Sequence, residues 1–87
     1  MSKWFTYILY SSKIDKYYVG VTENLMWRLD RHNLGWSKYT KTGIPWKLVY
    51  RESLNSKSEA LKREKEIKNK KSRKYILSLI NAGGRPE

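Results

Sequence analysis

From Trp4 to Tyr10 the chain runs through aromatic and β-branched residues without a break, the pattern of a strand. Residues 11–15 (Ser-Ser-Lys-Ile-Asp) read as a turn and Lys16 to Val21 as a second strand, which together predict an antiparallel hairpin. The spacing then widens. Leu25, Leu29 and His32 fall in helical register over Leu25 to Asn33, with Thr22 or Asn24 as the N-cap and Gly35 as the stop. Gly35 to Pro45 is polar and predicts a loop holding Trp36, Lys38, Tyr39 and Lys41. Trp46 to Glu52 returns to alternation and predicts a third strand, with Leu48 and Tyr50 on one face and Lys47, Val49 and Arg51 on the other. Ser56 or Ser58 opens a long helix to about Asn69, and Ser72 caps another to about Asn81. Residues 1–82 thus read as one domain and residues 83–87 as a flexible tail. Three short strands need cover to be stable. The pattern predicts an α/β fold: a small three-stranded antiparallel sheet flanked by helices, in the order β-β-α-β-α-α.

Two helices carry residues that simple packing does not explain. With Ala60 at zero on a helical wheel, Ile67 falls at about −20°, Leu61 at about 100° and Glu64 at about 40°, inside the apolar stripe. Glu59 and Glu66 point away. A buried carboxylate is normally paired or bound to a metal, and Lys68, at about 80°, offers the ion pair. On the first helix His32 and Arg28 lie four apart on the edge of the stripe formed by Leu25 and Leu29. A lone His is more often a satisfied core residue, but an Arg beside it suits phosphate better than packing. The hairpin adds Tyr7, Tyr17 and Tyr18. If it turned symmetrically about Ser12 and Lys13, Tyr7 and Tyr18 would stand opposite each other, with Gly20 on the same face. A strand glycine often marks a close approach.

Charge narrows the partners. The 87 residues hold 19 Lys and Arg against 8 Asp and Glu, a net charge of +11. So basic a small domain is expected to seek a polyanion, and nucleic acid is the expected one. No apolar run is long enough to span a membrane, no signal-peptide pattern opens the chain, and there is no Cys. A cytoplasmic protein without membrane attachment or an obligate protein partner is expected. Residues 57–74 contain nine basic and three acidic residues, a net of +6. Together with the loop, this predicts nucleic-acid contacts at Lys38, Tyr39, Lys41, Arg63, Lys68 and Lys71, mixing backbone charge with base stacking. The only histidine is His32, which excludes a His-based zinc site and gives a Ser-His-Asp triad little support.

These residues carry a resemblance. Phe5-Thr6-Tyr7-Ile8-Leu9 followed by Tyr18-Val19-Gly20 resembles the paired motif of the GIY-YIG nucleases, with the tyrosines eleven apart as in that family. Arg28, His32 and Glu64 match the family's arginine, histidine and metal-binding glutamate. The stretch from Gly35 to Tyr50 is similar to the small stand-alone bacterial branch, which is akin to the N-terminal domain of UvrC. There are departures: the first motif keeps only its tyrosine, and Val21 stands where UvrC-type domains have lysine. The family's asparagine is matched to Asn81 only as a guess.

The resemblance implies a metal-dependent endonuclease acting on nucleic acid, DNA rather than RNA, with Mg²⁺ or Mn²⁺ on Glu64. It implies catalytic roles for Tyr7, Tyr18, Arg28, His32 and Glu64, with one of the two tyrosines as general base and His32 assisting proton transfer or positioning; Tyr7 is favoured as the base and Tyr18 as the positioning residue. The alternative is a nucleic-acid-binding module without catalysis. The nuclease reading requires the five side chains to converge on one basic patch beside the sheet, the polar tips of at least four of them within roughly 10 Å of a common point. Glu64 should then be partly accessible, face a gap large enough for a hydrated ion and be free of a close pair with Lys68; Glu64 on the opposite side of the sheet from Arg28 and Tyr18 would end the nuclease reading.

Overall fold

The computed structural model describes residues 3–82; the expected tail at 83–87 lies outside them. The strands are β1 (Trp4–Ser11), β2 (Lys16–Thr22) and β3 (Lys47–Leu54), and the helices are α1 (Leu25–Asn33), α2 (Lys38–Lys41), α3 (Lys57–Lys70) and α4 (Arg73–Asn81). The sheet order is β2-β1-β3 with both pairings antiparallel, so β1 is central. The fold is the expected one, with a single added turn, α2, inside the 35–45 loop. Side-chain caps start the longer helices: Asn24 accepts from Trp27 N, Ser56 from Glu59 N and Ser72 from Tyr75 N. Each such cap is worth about 1 kcal/mol. Gly35, at φ +83°, follows α1 in the left-handed region where glycine is at ease.

The sheet is covered on both faces. On one, Ile8, Val19 and Tyr50 pack with Ile67 of α3 and with Tyr75, Ile76, Leu79 and Ile80 of α4. On the other, Tyr7, Leu9 and Trp46 pack with Leu25 and Leu29 of α1 and with Ile44 and Leu48. Thr6 Oγ1 donates to Ala60 O at 2.8 Å, fastening α3 to the central strand. The fully buried Ala60 keeps that approach close.

Three local expectations are corrected. Tyr7 pairs with Gly20 and Tyr18 with Leu9, because the turn spans residues 12–15 rather than centring on Ser12 and Lys13. Tyr7 and Tyr18 are therefore diagonal neighbours on one face. Leu48 and Tyr50 occupy opposite faces, since the pairing of β1 with β3 shifts between Ile8 and Leu9. A bulge at Val49 inserts one extra residue and resets the alternation. On α3 the buried residues are Ala60 and Ile67, whereas Leu61 is largely exposed.

Candidate active site

Three of the expected residues are in direct contact on the α1 face. Tyr7 sits on the central strand, 2 % exposed, with its hydroxyl 3.0 Å from His32 Nε2. The Tyr18 ring lies 6.4 Å from that of Tyr7 and edge-on to the His32 ring at 4.9 Å, centroid to centroid. Gly20 explains how so bulky a ring fits. A Cβ there would come within 2.5 Å of the Tyr7 hydroxyl, so the smallest residue is needed opposite the largest.

His32 is 1 % exposed and is held at both ring nitrogens, by Tyr7 at Nε2 and by Thr40 Oγ1 at Nδ1, 2.8 Å away. Thr40 comes from α2 and is completely buried. The loop around it is stitched down. Asn33 donates to Trp46 O and accepts from Trp46 N, and Trp46 Nε1 donates to Thr40 O at 2.6 Å. Nothing in the sequence pattern marks Thr40, because its partner lies across a loop.

The electrostatics are asymmetric. Burial pushes the Tyr7 hydroxyl up to about 12; Arg28 opposes this, and the neighbouring Tyr18 and Glu64 add to it. Burial, and then the charge of Arg28, hold His32 below its ordinary value. At neutral pH a protonated phenol therefore faces a neutral imidazole. Arg28 is the cation that acts on both groups, and its Nε is buried with no hydrogen-bond partner. A buried guanidinium nitrogen left unpaired is costly and calls for an acceptor.

Glu64 reaches the site differently from the other four. It stands on α3, which packs on the face opposite α1, so it does not share the face of the other four; only its reach past the edge of the sheet, near enough for its charge to act on Tyr7, keeps it with them rather than on the far side. Two grooves run along the outer side of β2. One is lined by Val21 and Thr22 of β2, Trp27 and Arg28 of α1, and Lys57 and Leu61 of α3. The second is lined by Tyr17, Tyr18 and Val19 with Ile67, Lys68 and Lys71. Gly20 and Glu64 fall in sequence between the residues that line the two. Glu64 is thus at the sheet edge, close enough for its charge to act on Tyr7. Its carboxylate is 20 % exposed, as expected. It is paired with Lys68 at 3.0 Å, which was not expected of a metal ligand. Lys68 is half-exposed and follows at i+4, the ordinary spacing of a helical ion pair.

The other sequence candidates divide. Lys38, Tyr39 and Lys41 of α2 are exposed, and Lys71 lines the second groove. Arg63 is turned inward: its Nε bonds both Glu52 oxygens and its Nη1 bonds Tyr75. It braces α3 against β3 and α4 instead of offering itself to a ligand. Asn81 is exposed at the end of α4, whose packing side meets the face opposite Tyr7, so it is not brought to the site. Among the described residues no three His, Cys, Asp or Glu gather to hold a metal ion.

Comparison with known proteins shows which family the chain belongs to. The pattern of the GIY-YIG catalytic domain matches residues 3–76. The chain is 46 % identical over 81 residues to a UPF0213 protein of Staphylococcus haemolyticus, covering 92 % of this chain and 96 % of that one. It is 49 % identical over 83 residues to a UPF0213 protein of Syntrophus aciditrophicus, covering 92 % of each. Its fold is similar to the solution NMR structure of the UPF0213 protein BH0048 from Bacillus halodurans. The TM-score is 0.60 at 32 % identity, covering 97 % of this chain and 88 % of that one.

Proposed function

The chain belongs to the GIY-YIG family, whose domain is that of a nuclease, and from that premise we propose that it is an endonuclease hydrolysing phosphodiester bonds in DNA, with Mg²⁺ or Mn²⁺ on Glu64. The observation that carries this reading is the Tyr7–His32 contact beside Arg28: a protonated phenol facing a neutral, buried imidazole, next to a guanidinium nitrogen without a partner.

The residues divide the work as follows. Arg28 binds the scissile phosphate and stabilises the charge that grows on its oxygens. Tyr7 is the general base. Its oxygen takes a proton from the attacking water while its own proton passes to His32 Nε2, so the imidazole ends as imidazolium and the phenol is unchanged. Thr40 fixes the ring at Nδ1 for that transfer. Tyr18, packed against both rings, holds the pair in place. A hydrated divalent ion needs only one or two protein carboxylates, and the partly exposed Glu64 fits that requirement. For an ion to bind there, the half-exposed Lys68 would have to give up its pair with Glu64. Bound there, the ion supplies Lewis acidity to the phosphoryl oxygens. No described helix is long and apolar enough to cross a membrane. We place the enzyme in the cytoplasm, acting without an obligate protein partner.

The test is a panel of labelled single-stranded, duplex and flap DNA and RNA, incubated with Mg²⁺, Mn²⁺ or chelator. Metal-dependent cleavage of DNA is expected. Glu64→Ala should abolish cleavage yet still bind, since it removes an anion from a basic surface. Cleavage by Glu64→Ala at the parent rate would remove Glu64 from the reaction. Binding of every substrate with cleavage of none would leave a binding module in place of an enzyme.

A further inference from the structure

A cleft of about 290 Å³ adjoins the proposed reaction centre and shares Arg28 and His32 with it; its other walls, which that reaction does not use, are Trp27, Arg31, Trp36 and Ser37. Its walls are unusual for a surface. The Arg31 guanidinium carbon lies 4.8 Å from the centre of the Trp27 ring and 4.3 Å from that of Trp36. Both distances are within cation–π range. The three side chains form a comb: indole, guanidinium, indole. Trp36 nevertheless leaves 69 % of its surface to solvent and Trp27 45 %. Arg31 Nε, like Arg28 Nε, is buried and has no hydrogen-bond partner.

Each feature alone has an ordinary explanation. Exposed tryptophans occur singly on many proteins, and an arginine on an indole is a common surface contact. Together they specify a ligand. Two guanidinium groups lining one cleft suit an anion that can accept from them. An ordered, exposed indole face requires a flat apolar partner. A nucleotide whose base is not paired offers both at once, phosphate for the guanidinium edge and base for the ring. A base inside a duplex is stacked on both sides and has no free face.

We infer that the Trp27–Arg31–Trp36 comb is a nucleotide subsite. It takes one unpaired base stacked on Trp36, with the adjoining phosphate on Arg31, next to the phosphate held by Arg28. The inference deepens the nuclease reading by naming its substrate class: nucleic acid that is single-stranded or frayed beside the cut. Trp36 lies between α1 and α2, so the flanking base is held on the α1–α2 side of the scissile phosphate.

The test uses binding, so that it does not depend on cleavage. Short oligothymidylate and a phosphodiester backbone of the same length without bases are titrated, in chelator, against the parent protein, Trp36→Ala, Trp36→Phe and Arg31→Ala. Trp36 is exposed, so its replacement leaves the core intact. The parent should prefer oligothymidylate to the bare backbone, and Trp36→Ala should weaken oligothymidylate roughly five- to hundredfold, the worth of one stacked base. The bare backbone should bind Trp36→Ala and parent alike, and Trp36→Phe should recover most of the loss. Arg31→Ala should weaken both ligands. Equal losses on both ligands in Trp36→Ala, or no loss on either, would overturn the subsite, even in an active nuclease. Base-dependent binding by a protein that cleaves nothing would keep the subsite and remove the nuclease reading.

Discussion

Arg28 shapes both groups that would move the proton. It holds Tyr7 down against burial, and it adds to burial in holding His32 down. Its charge and its fork geometry are separable by substitution. Arg28→Lys keeps a cation near His32 but loses the planar grip on phosphate. Cleavage should fall roughly 100- to 1000-fold, as when one preorganised donor is lost, while His32 stays below the ordinary value of about 6.5. Arg28→Gln removes the charge as well, and His32 should rise toward that value, with burial still keeping it lower. Since His32 is the only histidine, NMR of its ring protons reads the titration without overlap. A His32 pKa identical in Arg28→Gln and parent would show that Arg28 is too far away to act on it. The same depression has a sign for stability. Below about 6.5 the unfolded chain takes up a proton that the folded chain refuses, so stability is lost as pH falls from there toward the folded pKa.

The elements were legible wherever one strong local rule decided them. Asn24, Ser56 and Ser72 marked helix starts that the structure keeps, and Gly35 marked the end of α1. What escaped was set by contacts between elements. The Val49 bulge depends on how β3 meets β1, and a strict period of two cannot show it. The polar 35–45 stretch concealed α2, whose one buried residue, Thr40, finds its partner in His32 on another helix. Tyr7, Tyr18, Arg28 and His32 were legible as a set through the resemblance and the α1 stripe. The approach of Glu64 around the β2 edge, and its pairing with Lys68, were not. Trp27 and Arg31, four apart on α1, carried a spacing signal that sequence reading passed over. The stitched loop can be tested as an element. Thr40→Val keeps the shape and removes the hydroxyl, leaving His32 Nδ1 unpaired in the core. Stability should fall by about 1–3 kcal/mol, measured by urea denaturation. Cleavage should fall further than Thr40→Ser, which restores the bond. If Thr40→Val and Thr40→Ser cleaved equally well, the hydroxyl would be irrelevant to His32.

At the scale of the whole molecule, a chain of 87 residues has a small core, and single buried groups weigh on its total stability of about 5–15 kcal/mol. Tyr7 is such a group. Its folded pKa of about 12 stands above the unfolded value of about 10. In that window the unfolded chain has lost a proton that the folded chain keeps, so stability falls as pH rises. The two units are worth about 2–3 kcal/mol. The stability difference between the parent and Tyr7→Phe should be constant below pH about 10 and shift by that amount toward about 12; parallel curves would mean that Tyr7 ionises freely. The surface charge makes the last and broadest prediction. Of the nine cations in residues 57–74, Arg63, Lys68 and Arg73 have carboxylate partners at 2.9–3.0 Å. Lys71 has none among the described residues and lines the groove beside Tyr18. Nucleic acid binding releases counterions from each phosphate neutralised. With roughly six to eight contacts, log K against log salt should fall with a slope of about −4 to −7. Lys71→Gln should make that slope shallower by about 0.7–0.9, one phosphate's worth. Arg63→Gln should leave it unchanged, because its guanidinium is already spent on Glu52 and Tyr75. That variant should instead be less stable, since Glu52 loses its partner beside Tyr50. The opposite result, a changed slope for Arg63→Gln and none for Lys71→Gln, would move the nucleic-acid interface to the α3–β3 side, away from Tyr7 and His32.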